Sequence, residues 1–468
     1  MRRTAGWVAV VAALSVAAAF SPLVIVAVGA AALVGAAWRW PNVALAAGAL
    51  ASLLLRPALD LFSERRLNAG ILTLEPAVLF GTAILIVGAT VLLRRARGGQ
   101  RAWPDGELFR AHAWLAAAYG VMLVSGWWLY GTLGLGQGVR ELARVGSVVC
   151  AFLVLWWWLE GSPSRRAWGW VCLCAGAVPP IAVSLYQLAT GTGFPEPSGV
   201  VRIQGTFSHP NSLAQFLAPL ILVAVAGAPR RTGWDRAWRL GVAVGLALLL
   251  ALTYSRTGVL VLATGLVALL ALQARAAGVA GDRRALARGA LILVVFALLG
   301  WLVAGGYIRE RFGDISLSSA VWQEAAAGAS ENSFTWRLIN WRGLIVLGLA
   351  HPWMGHGAMM TLQLNPLFNV ENGVPFNAHN DFVRFFFEGG LLGLLCYVGY
   401  GALLCRWAVR RAATAEGLGL AAALVAMFFL TAGTTELSLH TANLYTLYAL
   451  LALVTPAAPA AAAPAPLR

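Results

Sequence analysis

The sequence has little charge and contains no lysine. Only 11% of its 468 residues are charged, whereas 60% are hydrophobic. An ordinary soluble domain has about a quarter of its residues charged, and a chain this apolar cannot keep a polar exterior around its core. The composition therefore excludes a water-soluble globular enzyme, and the high hydrophobicity excludes a disordered chain.

Cysteine is scarce, and paired carboxylates with metal-ligand spacing are missing. The five cysteines lie in apolar stretches without a C-x-x-C spacing, so we expect small buried hydrophobic residues. The sequence contains no Asp-x-Asp pair. We therefore expect no metal site and no cofactor.

The basic residues are all arginines, and they give a formal net charge of +15. Such a charge can indicate nucleic-acid binding, but these arginines lie in short clusters between long apolar stretches. This alternation is typical of a multi-pass membrane protein. We therefore expect contact with membrane lipids and no nucleic-acid partner.

The apolar stretches predict an all-α, polytopic membrane protein of about 12–14 transmembrane helices, because lipid cannot satisfy an unpaired backbone group. The first stretch, Gly6 to Phe20, resembles a signal peptide, but another begins at Leu23, so we expect a retained hairpin rather than a cleaved leader. Later stretches lie near residues 42–56, 76–93, 111–131, 145–160, 167–187, 212–228, 239–254, 257–274, 288–305, 382–405, 417–435 and 441–456.

The distribution of arginine predicts an orientation with the N-terminus in the cytoplasm. The chain then divides into N-terminal transmembrane helices with short loops (1–305), a large external loop (306–381), C-terminal transmembrane helices (382–456) and an Ala/Pro tail expected to be disordered (457–468). Loops this long are usually functional. Interleaved Trp and Arg at 335–347 predict a helix in this loop that lies flat at the membrane interface.

Several external arginines lie close to predicted membrane ends. A lone arginine there often extends toward lipid headgroups, although the very short turn around Arg256 restricts its side chain. Guanidinium groups that converge on one face would instead bind phosphate or pyrophosphate through forked hydrogen bonds. The candidate anion ligands are Arg202, Arg256, Arg337 and Arg342.

The segment 377–384 contains the candidate general base, His379. A histidine at the start of a span is often only a helix cap, but polar neighbours can fix its tautomer and tune its basicity. A neutral imidazole with a pKa near the working pH could accept a proton from a sugar hydroxyl, and cations could stabilise a pyrophosphate leaving group. Further candidates for substrate contact are His209, Asn380, Asp381 and Arg384.

These segments resemble the O-antigen ligase family of the ligase/polymerase superfamily. His-Asn at 379–380, nine residues and then Gly-Leu-Leu-Gly at 390–393 are similar to the motif H-[NSQ]-x9-G-x-x-[GTY]. Arg-Thr-Gly-Val-Leu at 256–260 is similar to the family's R-x-x-x-L motif, and 351–357 resembles a turn in its large external loop. The resemblance covers roughly residues 191–395.

The resemblance implies a metal-independent, inverting glycosyltransferase of the GT-C type in the bacterial inner membrane. Such an enzyme moves a preassembled glycan from an undecaprenyl-pyrophosphate donor to a lipid A-core acceptor, with its active site and large loop facing the periplasm. On this chain, His379 would activate the acceptor hydroxyl. Arg202 and Arg256 would hold the donor pyrophosphate, assisted by Arg337 or Arg342.

Two kinds of alternative stay open. A polysaccharide polymerase or a protein O-oligosaccharyltransferase shares the superfamily and differs mainly in the acceptor. A flippase or transporter of lipid-linked sugars would be a non-enzymatic alternative. Transporters, however, carry ionisable groups near the membrane midplane, whereas the predicted spans are nearly free of charge at mid-depth.

Overall fold

The computed structural model describes residues 22–62, 67–69, 72–195, 201–228, 232–276, 333–365, 376–412 and 414–455. The first stretch of the expected N-terminal hairpin, residues 6–20, lies outside these ranges, whereas the second, which begins at Leu23, lies within them. The expected span at 288–305, the loop segments 306–332 and 366–375, and the Ala/Pro tail lie wholly outside them.

The described chain is built mainly of helices. The α-helices are α1 (Pro22–Arg39), α2 (Pro41–Leu54), α3 (Pro76–Arg97), α4 (Gly106–Tyr130), α5 (Thr132–Leu159), α6 (Pro163–Thr190), α7 (Pro210–Gly227), α8 (Gly233–Leu252), α9 (Arg256–Ala276), α10 (Ser333–Gly348), α11 (Thr361–Leu364), α12 (Asp381–Arg411), α13 (Ala415–Ala426), α14 (Ala432–Thr434) and α15 (Thr441–Val454). A 3₁₀ helix, Arg56–Phe62, follows α2, and a π-helical segment, Met427–Thr431, joins α13 to α14.

Two short antiparallel strand pairs lie in the connections. Strand β1 (Leu67–Ala69) pairs with β2 (Leu72–Leu74), so that Leu67 faces Leu74 in the register. Strand β3 (Phe194–Pro195) pairs with β4 (Val201–Arg202), so that Phe194 faces Arg202. The second pair fixes the backbone of Arg202 at the end of a strand.

The membrane spans confirm an all-α, polytopic membrane protein. Among the described residues, eight segments are long and apolar enough to cross a membrane: α3, α4, α5, α6, α7, α9, α12 and the run from α13 to α14. A ninth is added if α2 and the 3₁₀ helix, bent by 62° from each other, form one broken span. Val28–Arg39 and α15 are apolar but shorter.

The described part of the chain therefore carries fewer full-length spans than the 12–14 helices expected. The predicted span at 239–254 belongs to α8, whose first turns hold Asp235, Arg236 and Arg239 and are too polar for a full crossing. The predicted span at 42–56 ends early because the chain bends into the 3₁₀ helix. The predicted spans at 6–20 and 288–305 lie outside the described residues.

Most of the described helices pack into one large apolar core, and a smaller apolar cluster lies where α10 and the large loop meet α12. Helix α5 packs against α2, α3, α4 and α15, whereas α7 packs against α8, α9 and α13. Phe152 and Trp156 of α5 and Phe216 and Leu217 of α7 are almost completely buried. Helix α12 packs along α4 and also contacts α10, so the large loop is attached to the bundle.

Helix α12 is broken at Gly390, where φ is +63°. The amides of the two residues that follow donate to the carbonyl groups of Pro352 and Trp353, at 2.7 and 3.1 Å. In return, the amides of His356 and Gly357 donate to carbonyl groups just before the break, at 2.9 and 2.7 Å. The loop therefore supplies partners to backbone groups that lipid could not satisfy.

The loop segment that fills this break is the turn expected at 351–357, and the structure confirms it. The backbones approach so closely that a Cβ at Gly355 would lie 2.4 Å from the carbonyl carbon of Glu388. A Cβ at Gly390 would lie 2.3 Å from the carbonyl carbon of Trp353. The two glycines are required because any side chain would separate the turn from the helix.

We expect Gly390→Ala to lower the free energy of unfolding by at least about 2 kcal/mol, because the alanine is strained at positive φ and clashes with Trp353. Thermal unfolding in detergent measures the change. Gly245→Ala in α8 is the control, since a Cβ there meets nothing within 4 Å. Equal stability of Gly390→Ala and the wild type would contradict the account of the broken helix.

Candidate active site

His379 is held by its backbone immediately before α12. The next residue, Asn380, caps the helix: its Oδ1 accepts from the amides of Phe382 and Val383 at 2.9 and 3.2 Å. His379 itself has φ +50°, a left-handed conformation that residues other than glycine rarely adopt. Its amide donates to Oε1 of Glu436 at 3.0 Å. Such strain is often found at functional sites.

Helix α10 supports the same segment from the large loop. Asn340 donates to the carbonyl group of Asn377 at 2.9 Å, and Trp341 donates to that of Ala378 at 2.8 Å. The ring of Trp336 meets the His379 imidazole edge-on, with 5.3 Å between centroids. The helix predicted at 335–347 is therefore present, and it positions the histidine. Its orientation flat on the membrane stays a prediction.

Three of the four candidate arginines come together. Arg202 is buried, and its Nε donates to the carbonyl group of Thr253 at 2.7 Å, next to the turn that leads into α9. Arg256 is the first residue of α9. Burial, and then the charges of Arg256 and Arg202, lower the pKa of Arg337 to about 10. Arginines from three separate segments thus share one electrostatic environment.

The fourth arginine lies apart from this group. Arg342 is exposed on α10 and, within the described ranges, makes no hydrogen bond or ion pair. Arg337 is partly buried on the same helix and interacts electrostatically with the other two arginines. The geometry therefore distinguishes two residues that the sequence left equivalent.

The imidazole of His379 is strongly biased toward its neutral form. Burial lowers its pKa to about 3, with further contributions from Arg337, His440 and His209. This is well below the value near the working pH that we expected from the sequence. The difference arises mainly because the fold buries the imidazole and, to a smaller extent, because it places Arg337 and two other histidines nearby.

Like Asn380, His209 is a helix cap. Nδ1 of His209 accepts from the amide of Asn211 at 3.0 Å and so caps α7. The ring of His209 packs edge-on against Phe194, with 4.9 Å between centroids. The capping interpretation of a histidine at a helix start therefore applies to His209, which also contributes to the lowered pKa of His379.

Asp381 and Arg384 lie behind the site rather than on its surface. Asp381 is completely buried and accepts from the hydroxyl of Tyr397 and the amides of Leu437 and Ser438, each at 2.9 Å. The sequence predicts that both residues contact the substrate, whereas their burial in the structure indicates that they position other groups. Asp381 fastens α12 to the segment 435–440, which carries Glu436.

Arg384 completes this buried network. It donates to Glu388 and to Oγ of Ser438, each at 3.0 Å, and it lies 3.5 Å from Glu141 of α5. Only 1% of its side chain is exposed. Buried ion pairs of this kind are costly to break, so the network holds α5, α12 and the segment 435–440 in one arrangement.

Glu436 is the functional candidate that the sequence analysis missed. It is buried, and burial together with the carboxylate of Asp381 raises its pKa to about 8. A carboxylate between two apolar stretches near the C-terminus was a visible signal, but its distance in sequence from His379 concealed the contact. Nearby, His440 has a pKa lowered to about 4 by burial.

Metal independence stays a prediction. Over the described ranges, no group of three or more His, Cys, Asp or Glu side chains is placed to hold a metal ion. The positive charge at the site comes instead from the three arginines.

Comparison with known proteins found one family match. Residues 240–398 match the family model described as O-antigen ligase. The match covers 159 of the 468 residues, so the chain contains a segment similar to the O-antigen ligase family. The matched segment contains α9, α10 and the start of α12, and with them Arg256, Arg337 and His379. No curated protein matches the chain.

The O-antigen ligase match supports a glycosyltransferase role within the ligase/polymerase superfamily. The apolar helices indicate that the protein is a multi-pass membrane protein. Lipid-linked glycans and lipid acceptors are the general substrates that the family implies.

We expect the protonation of Glu436 to make stability depend on pH. In the folded protein this carboxyl keeps its proton up to about pH 8, whereas an unfolded glutamate loses it near pH 4.5. Its stabilising contribution is therefore complete below about pH 4.5 and is lost as the pH rises to about 8. Glu436→Gln should remove this decline, because the amide cannot ionise.

Melting temperatures of the two proteins in detergent, measured from pH 5 to about 9, test this expectation. The wild type should lose stability relative to Glu436→Gln as the pH rises. Parallel curves over the whole range would contradict the raised pKa of Glu436.

Proposed function

We propose that the protein is a metal-independent, inverting glycosyltransferase of the GT-C type. It moves a preassembled glycan from undecaprenyl pyrophosphate to lipid A-core at the periplasmic face of the bacterial inner membrane. The observation that supports this proposal best is the convergence of Arg202, Arg256 and Arg337 near the neutral imidazole of His379.

The arginine group provides the donor site. Nε of Arg337 is buried and, among the described residues, has no hydrogen-bond partner. A buried donor of this kind costs free energy until an acceptor arrives. A pyrophosphate carries several acceptor oxygens and negative charge, so it would satisfy Arg337 and offset the repulsion among the three guanidinium groups.

His379 provides the base. A bound pyrophosphate places negative charge beside Arg337, the strongest cationic influence on the imidazole, and this raises the pKa of His379 from its low value. The acceptor hydroxyl attacks the anomeric carbon while its proton passes to His379. The bond from that carbon to the pyrophosphate oxygen breaks, and the electron pair leaves with the pyrophosphate.

The remaining features position these groups. Glu436 and Asn380 hold the backbone of His379 in its left-handed conformation. Because attack and departure occur in one displacement on opposite sides of the carbon, the product has the inverted configuration. Arginine can stabilise the leaving pyrophosphate throughout, so the step needs no added acid.

Replacement of the base tests the reaction directly. We expect His379→Ala to reduce transfer at least a hundredfold, the usual contribution of a general base. Purified protein with an undecaprenyl-pyrophosphate glycan and lipid A-core gives the product yield on a gel. His351→Ala, in the turn that fills the break in α12, is the matched histidine control and should keep most activity.

Unchanged yield with His379→Ala would remove His379 from the mechanism. The position of the product identifies the acceptor. A shift of the lipid A-core band supports transfer to lipid A-core. A ladder of products on the carrier lipid would instead show that the protein is a polymerase.

The two arginines of α10 provide a matched pair. We expect Arg337→Ala to weaken binding of undecaprenyl pyrophosphate at least tenfold, because it removes a partly buried charge from the group with Arg202 and Arg256. Arg342→Ala should change binding less than twofold, because Arg342 is exposed. Binding to the solubilised protein is the measurement, and equal effects of the two variants would contradict this donor site.

A further inference from the structure

A polar cavity lies beside the proposed active site. It has a volume of about 400 Å³, within the range of small-molecule sites. Its walls come from the 3₁₀ helix, the beginnings of α3 and α15, the middle of α5 and the segment 207–212. None of the three convergent arginines lines it.

The cavity and the active site share two walls. Ser208 and Ser212 line the cavity, whereas His209, in the same segment, influences His379. His440 also lines the cavity, accepts or donates a hydrogen bond with Ser212 at 3.1 Å, and influences His379. A ligand in the cavity would therefore lie next to the base without occupying the arginine group.

The lining suits a carbohydrate. Hydroxyl and amide side chains supply both donors and acceptors, which is what a polyhydroxylated ligand requires. They are Thr82, Ser147, Ser208, Ser212, Thr441, Asn443 and Tyr445. Two acidic residues, Asp60 and Glu75, add strong acceptors for sugar hydroxyls.

The charges of the cavity suggest an anionic substituent on that carbohydrate. Arg56 is paired with Asp60 at 2.7 Å, and Arg144 with Glu141 at 2.6 Å. Arg140 also lines the cavity, is exposed, and makes no hydrogen bond or ion pair within the described ranges. Its guanidinium group can therefore bind a phosphate or carboxylate of the ligand.

We propose that this cavity binds the acceptor saccharide, a carbohydrate that carries an anionic group. One hydroxyl of that saccharide reaches past His440 to the imidazole of His379. This inference rests on the proposed glycosyl transfer, because an acceptor site is meaningful only beside a donor site. It assigns the two substrates to separate places, the pyrophosphate to the arginine group and the acceptor sugar to the cavity.

Filling the cavity tests this assignment. Ala143 of α5 lines the cavity, and Ala143→Trp places an indole in it. Val139, one turn earlier on the same helix, is exposed and does not line the cavity, so Val139→Trp is the matched control. The probes are phosphorylated core oligosaccharide without its lipid, the same oligosaccharide after dephosphorylation, and undecaprenyl pyrophosphate.

We expect Ala143→Trp to weaken binding of the phosphorylated oligosaccharide at least tenfold and to leave undecaprenyl pyrophosphate binding within twofold of the wild type. Retained donor binding also shows that the variant is folded. Val139→Trp should change neither oligosaccharide binding nor donor binding. Arg140→Ala should weaken binding of the phosphorylated oligosaccharide more than binding of the dephosphorylated one.

Several results would overturn the inference. The first two are that the wild type fails to bind the oligosaccharide, and that Ala143→Trp binds it as well as the wild type does. The others are that Ala143→Trp loses donor binding instead of oligosaccharide binding, and that Val139→Trp loses as much oligosaccharide binding as Ala143→Trp. A failure of the proposed function looks different. In that case the wild type would bind the oligosaccharide in the cavity, and Ala143→Trp would abolish this binding, but no glycan would be transferred.

Discussion

The site depends on the burial of several positive charges beside one neutral imidazole. Burial and mutual repulsion lower the pKa of Arg337 to about 10, and the same field helps to lower that of His379 to about 3. Such an arrangement is unfavourable by itself, because like charges repel strongly where water is excluded. A multivalent anion relieves both effects, so the electrostatic cost is also the basis of the proposed donor recognition.

The rest of the fold keeps this arrangement in place. Helix α12 is interrupted at Gly390, and the loop turn 351–357 completes its backbone hydrogen bonds. The buried network of Asp381 and Arg384 joins α12 to the segment that carries Glu436. That carboxyl in turn holds the strained backbone of His379. Each contact joins segments that are far apart in sequence.

The sequence predicts the membrane class, most spans and all three arginines of the proposed donor site, together with a fourth, Arg342, that lies apart, because apolar length and charge placement are local properties. The sequence also contains the Gly-x-x-Gly motif. It does not reveal why Gly390 is required, because the contact of Gly390 is with a turn in the large loop. The separation of Arg337 from Arg342 depends on how α10 faces the bundle. Glu436 and the bend after α2 depend on tertiary contacts, which composition and periodicity do not reveal.

The assignment of the donor to the arginine group is the central claim, and a density map of the protein with bound undecaprenyl pyrophosphate tests it most directly. We predict that the two phosphates lie among Arg202, Arg256 and Arg337, with the lipid-linked sugar turned toward the imidazole of His379. Phosphate density in the neighbouring cavity, beside Arg56 and Arg144, would contradict the account.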